Sequence, residues 1–109
     1  MTKHIPLEHP GMILKEEFIE AFGLSAYKVS QETGISQTAL GEILRGKRSI
    51  SPANSLKLAK FFGMSEDFFA NLQTQYELDK AKSREGKKIA QIIPFPKKAK
   101  ATDEELLEA

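Results

Sequence analysis

The chain has no cysteine, which excludes a disulfide framework and a thiolate zinc site. It has two histidines, His4 and His9, both near the N-terminus, and no glycine-rich phosphate loop. His9 before Pro10 reads as a helix-entry residue, and Glu16, Glu17 and Glu20 as a solvated helix face. An enzyme is therefore not expected, and no cofactor or metal is called for. No apolar run approaches the roughly 20 residues that cross a bilayer, so no membrane is expected as a partner. Met1-Thr2-Lys3-His4 also lacks the apolar stretch of a secretory signal. Both absences point to a cytoplasmic protein.

What is present suits one small folded domain. At 109 residues the chain is too short for two ordinary domains, and its 40% hydrophobic content can supply one core. The net charge of +1 hides a division. Up to Asp79 there are eight bases against ten acids, net −2, with Arg45, Lys47 and Arg48 clustered within four residues. From Lys80 to Lys100 there are eight bases and one acid, and the last nine residues carry four acids. Local organisation of this kind decides where a polyanion docks. Residues 1–79 thus read as the folded domain and 80–109 as a basic-then-acidic tail.

Between Pro10 and about Leu78 the punctuation is that of five short helices, with no strand-like alternation. Pro10, a favoured first-turn residue, opens the first, which runs to Phe22 before Gly23, with Ile13, Leu14, Phe18 and Phe22 as its apolar stripe. Ser25 caps the second, which ends at Thr33 with Gly34 able to close it. Ser36 caps the third, which runs to Arg45 and stops at Gly46. Ser51 and Pro52 open the fourth, which closes at Gly63 with Leu56, Leu58, Ala59 and Phe62 as core. The fifth starts at Ser65, with Phe68, Phe69, Leu72, Tyr76 and Leu78 as its stripe. The basic residues from Lys80 can extend it by a turn or two before Gly86. Beyond it, Pro94 and Pro96 forbid a helix through Ile89–Phe95 and demote it as a strand. The fold class expected is all-α.

The connection between the second and third helices is only Gly34-Ile35-Ser36, a spacing that sets two helices at a steep angle. In the third helix Ala39, Leu40, Ile43 and Leu44 face inward. Gln37, Thr38, Gly41, Glu42 and Arg45 then share the outer face. Short polar side chains near a recognition helix's N-terminus reach base edges, and glutamine bonds adenine through two contacts. Gln37, Thr38, Gly41 and Glu42 are therefore the candidate base readers. Gly41 costs about 1 kcal/mol relative to alanine in a helix interior, which either close approach of DNA or close helix packing would explain. Glu42 is unfavourable near phosphate but can accept from cytosine. Ser25, Lys28, Arg45, Lys47 and Arg48 are the candidate phosphate contacts, which fix register and give salt-dependent affinity. The bland reading of each is a solvated surface residue. The ordered set of turn, inward apolar residues and basic exit points to double-stranded DNA.

Leu24 to Pro52 resembles the Xre/Cro-type, lambda-repressor-like helix-turn-helix, in its leucine-serine entry, its glycine-aliphatic-serine turn and its arginine-glycine-lysine exit. His9-Pro10-Gly11 with Leu14-Lys15-Glu16-Glu17-Phe18, and Asn71-Leu72-Gln73-Thr74-Gln75-Tyr76-Glu77-Leu78, are similar to the flanking blocks of HigA-type antitoxins. The resemblance covers about Pro6 to Lys80. It implies a homodimeric antitoxin of a type II toxin–antitoxin module. Such a protein binds a palindromic operator in its own promoter, represses transcription, and neutralises a HigB-like ribonuclease toxin. Two departures stand out: Ala26 where many relatives have a phosphate-contacting glutamine, and Phe69 where a tryptophan is common.

A dimer also follows from the size of the target, since one helix-turn-helix covers only a half-site. The fifth helix is the expected interface, through Phe69, Leu72 and Tyr76, unless these residues merely close the monomer core. Two other functions remain open: a stand-alone Xre-type regulator, and a protein-interaction module that has lost DNA binding. The basic tail either strengthens DNA binding, folds against a partner through Ile89–Phe95, or stays unoccupied.

Overall fold

The computed structural model describes residues 8–96, in which five helices and no strand are found. Helix α1 is α-helical over Pro10–Ile13 and continues unbroken as a wider π-helical stretch over Leu14–Glu20. A π-helical turn brings residues five apart onto one side. Leu14 and Ile19 are accordingly both buried, while Lys15 and Glu20 pair on the outside at 3.2 Å. This shifts the expected stripe: Ile19 joins the core, and Phe22, past the helix end, is 63% exposed.

Helices α2 (Ala26–Thr33), α3 (Gln37–Leu44) and α4 (Pro52–Phe62) begin as their capping serines predict. The hydroxyls of Ser25, Ser36 and Ser51 accept from the N–H groups of Lys28, Ala39 and Asn54, each three residues on. A cap of this kind contributes about 1 kcal/mol. On α4 the inward residues are Ser55, Leu58 and Ala59, while Leu56, expected in the core, is half exposed. Ser55 is tolerated there because its hydroxyl donates to the Pro52 carbonyl.

The core joins Leu14, Val29, Ile35, Leu40, Ile43, Ile50, Leu58 and Phe69, so two of its members lie in connections rather than helices. Phe18, Phe62 and Phe68 surround Phe69, with ring centroids 5.2, 6.3 and 5.0 Å from it. Helix α1 reaches the carboxyl end of α3 so closely that a Cβ on Gly11 would run into the Ile43 carbonyl oxygen. Only glycine fits that crossing.

Helix α5 (Phe68–Ala90) begins three residues after Ser65, whose hydroxyl donates to the Asp67 carboxylate instead of capping the helix. Its 23 residues make it about 34 Å long. The helix runs through Asp79, Lys80 and Gly86, further than the turn or two expected. Phe69, Gln73 and Asp79 are its buried residues, Leu78 is half exposed, and none is buried from Lys80 on. Pro94 and Pro96 follow its end, as their ring chemistry requires. The bases at 97, 98 and 100 and the acidic end of the chain lie outside the described residues.

Candidate nucleic-acid interface

Three side-chain hydrogen bonds brace the turn between α2 and α3. The buried Ser30 hydroxyl donates to the Ile35 carbonyl at 2.6 Å. Thr33 Oγ1 donates to the Val29 carbonyl and accepts from the Ile35 N–H. Gly34 between them has φ +83°, a conformation that L side chains rarely adopt. Ile35 is then buried and Ser36 is free to cap α3, so the angle between the helices is set locally.

Leu40 and Ile43 anchor α3 in the core, with Ala39 and Leu44 half-buried beside them. Gln37 and Thr38 are exposed, and Gly41 and Glu42 are partly exposed on the same side. All four expected base readers therefore share one accessible face. A Cβ on Gly41 would meet only the far end of Arg45, its Nη1 at 3.3 Å. Close packing within the subunit thus gives no reason for a glycine at this position. The same distance shows that the Arg45 guanidinium lies back along α3, beside the exposed face.

The expected phosphate contacts are spread around this face. Lys47 and Arg48 are exposed just past Gly46, and Lys28 pairs with Glu32 at 3.3 Å across one turn of α2. Exposed pairs of this kind contribute little and exchange readily for a stronger anion. The Ser25 oxygen accepts the α2 cap bond, and a phosphate contact would use its O–H instead. Arg48 folds back onto α3, donating from Nε and Nη2 to Glu42 Oε1 at 2.8 and 2.6 Å. That pair neutralises the carboxylate that would otherwise repel phosphate.

The interface expected on α5 needs a correction. Phe69 is fully enclosed by its own subunit, so it closes the monomer core and cannot touch a partner. Leu72 packs partly against the same core. Tyr76 is half-buried, its ring 5.0 Å from that of His9 and 5.2 Å beneath the Lys80 ammonium. His9 itself is a cap: its Nδ1 accepts from the Gly11 N–H at 2.8 Å. Burial, and then the charge of Lys80, hold its pKa below 6.5.

Two further residues were not singled out by sequence reading. Gln73 is buried and accepts the Ile50 N–H, and Glu77 accepts from both Gln73 and Ser49. The signal available was a polar residue lying within the apolar stripe of Phe69, Leu72 and Tyr76. Among the described residues no group of acidic or histidine side chains is placed to hold a metal, and no helix is long and apolar enough to cross a membrane.

Two capped helices joined by a braced three-residue turn, the second exposing a polar face and ending in a basic loop, define a helix-turn-helix. A helix-turn-helix family model matches residues 14–69. The chain belongs to this non-enzymatic family, in its Xre type, and stands there with the HigA family of antidote proteins. Among its relatives, virulence-associated protein I of Dichelobacter nodosus is 35% identical over 84% of this chain and 83% of that protein. The HigA-family addiction module antidote protein of Coxiella burnetii is 37% identical, with a TM-score of 0.76 over 84% of this chain and all of that one. Antitoxin HigA of Pseudomonas aeruginosa, solved with the higBA promoter, is 34% identical, with a TM-score of 0.76 over 84% of this chain and 99% of that one.

Proposed function

We propose that this protein is a DNA-binding antitoxin that represses its own operon and neutralises a HigB-like ribonuclease toxin. Two copies bind a palindromic operator, each laying α3 in a major groove with half-sites about 34 Å apart. Gln37, Thr38 and Glu42 read base edges while Gly41 lets the backbone approach. Ser25, Lys28, Arg45, Lys47 and Arg48 hold phosphates. Leu72 and Tyr76 remain the candidate interface residues on α5. The observation that carries the reading is Gly41, a helix-interior glycine on the exposed face with no packing reason inside the subunit. The promoter complex of the Pseudomonas relative supports it.

The test is binding of the purified protein to DNA from immediately upstream of its own gene, across several salt concentrations, beside Gln37→Ala and Gly41→Ala. Selective binding should weaken with salt, and Gln37→Ala should lose selectivity. Gly41→Ala should stabilise the fold by up to about 1 kcal/mol through helix propensity and weaken DNA binding. Those opposite signs separate a DNA-facing glycine from a structural one, and unchanged binding would remove Gly41 from the contact. No binding at low salt would leave a protein-interaction module. Co-purification with the product of a neighbouring small reading frame, and relief of its toxicity, test the antitoxin role. Their failure would leave a stand-alone regulator.

A further inference from the structure

The loop Gly46–Ile50, which carries Lys47 and Arg48, is seated at both ends by one face of α5. At its start, a Cβ built on Gly46 would stand 3.7 Å from the His9 ring, so the backbone there passes beside that ring, and His9 rests edge-on against Tyr76. At its end, the Ile50 N–H donates to Gln73 Oε1 at 2.9 Å. The Ser49 hydroxyl donates to Glu77 Oε2 at 3.2 Å, and Gln73 Nε2 donates to the same oxygen at 2.9 Å. Gln73, Tyr76 and Glu77 are three and four residues apart, so they project from one side of the helix. Open space of about 270 Å³, lined by Ser49, Ser51, Thr74 and Glu77 among others, remains between loop and helix. A polar bridge, with Ile50 as its one buried apolar anchor, therefore sets the height of the loop.

We propose that Gln73, braced by Glu77, is a positioning residue for the phosphate contacts of Lys47 and Arg48. The inference rests on the DNA-binding reading above. Gln73 touches no nucleic acid. Its amide uses the oxygen to hold the loop backbone and the nitrogen to lock its own rotamer onto Glu77. Because phosphate contacts set register without reading sequence, loosening the bridge should weaken binding to all sequences alike.

The experiment uses the full chain, the upstream duplex of its own gene, and a salt series. Gln73→Met keeps the side-chain length but cannot accept from Ile50. It should raise Kd about tenfold and flatten the log–log salt dependence by about 0.9 for each phosphate contact released. Single-base operator variants should weaken by the same factor as the parent. A merely structural loss lowers the folded fraction and leaves the salt slope unchanged, so an unchanged slope overturns the proposal. The exchange of Gln73→Glu with Glu77→Gln rebuilds the bridge in reverse, with a carboxylate accepting from Ile50 and from the amide. It should restore the slope, and failure to do so in a folded protein also counts against the bridge. If Gln73→Met does not fold, Glu77→Ala at an exposed position carries the test. Removing a negative charge alone would tighten DNA binding, so weaker binding with a flatter slope supports positioning and tighter binding overturns it. A wild-type protein that binds no duplex sinks the DNA-binding reading and this inference with it. A wild type that binds, beside a Gln73→Met variant of equal slope, sinks only the inference.

Discussion

The two halves of α5 share one helical geometry and sit in different surroundings. From Phe68 to Asp79 the helix supplies Phe69 to the core, Gln73 to the loop after α3, and Tyr76 to the ring of His9. From Lys80 to Ala90 it continues with no buried residue. The outer half keeps its shape by local means, with good helix formers such as alanine, lysine and arginine and a 3.9 Å pair between Lys88 and Glu85. Past it, Ile92, Ile93 and Phe95 are 68%, 73% and 94% exposed. Helicity requires only neighbours in the chain, whereas burial requires a second element to pack against.

The sharpest way to break this comparison is to truncate one apolar residue of the inner half and one just past the end of the helix. Phe69→Ala should destabilise by about 3–5 kcal/mol, as for large-to-small changes in a filled core. Ile93→Ser should stay within about 0.5 kcal/mol in the isolated protein. Denaturant midpoints of the two variants decide it. Comparable losses would mean that the segment after α5 is packed in solution.

A pair of glycines extends the contrast at lower magnitude. Gly11→Ala places a methyl against the Ile43 carbonyl and should cost about 1–3 kcal/mol, with DNA binding lost as α3 shifts. Gly86→Ala meets no neighbouring atom and should strengthen the outer helix by about 0.5–1 kcal/mol. With no residue buried from Lys80 on, the outer half is expected to open ahead of the core, so that gain should show as slower amide exchange over residues 80–90 with the global midpoint unmoved. A higher global midpoint would mean that both halves unfold together.

The smallest effect belongs to His9, which bridges α1 and the inner half of α5. Its Nδ1 accepts the Gly11 N–H, which a protonated imidazole cannot do. With the folded pKa held below 6.5, the group is neutral in both states at higher pH. As pH falls through and below 6.5, the unfolded chain takes up a proton that the folded chain resists, so stability is lost on acidification. His9→Asn keeps a cap that does not titrate. Its stability should fall less than wild type between about pH 7.5 and 5.5, and an equal fall would deny His9 this role.

Much of the fold was legible in the sequence because its signals are local. Ser25, Ser36 and Ser51 cap the helices they were read to cap, and Gly34 and Gly63 close theirs with positive φ. A serine hydroxyl and a glycine backbone act within three or four residues, so spacing alone reveals them. The exposed face of α3 followed from helical periodicity in the same way. The misread residues are those decided by distant neighbours. Leu56 and Phe22 are apolar and at reasonable spacing, yet they stay 50% and 63% exposed, Phe22 meeting the Phe18 and Phe62 rings at the rim of the core. For Phe69 the sequence left two readings, a partner contact or the monomer core, and three phenylalanines from α1, α4 and α5 itself enclose it.

By itself the sequence determined where α2, α3 and α4 begin, where α2 and α4 close, which connection is too short for anything but a steep turn, and which residues of α3 share a face. Those outcomes depend on backbone donors, acceptors and torsions within one turn. Only the tertiary structure decided that Gln73, 23 residues beyond Ile50, holds its backbone. It also decided that Arg48 lies on Glu42 and that Gly11 must admit the end of α3. The Gln73 and Gly11 contacts form only after the helices have packed, and no periodicity in the chain encodes which polar atoms then meet.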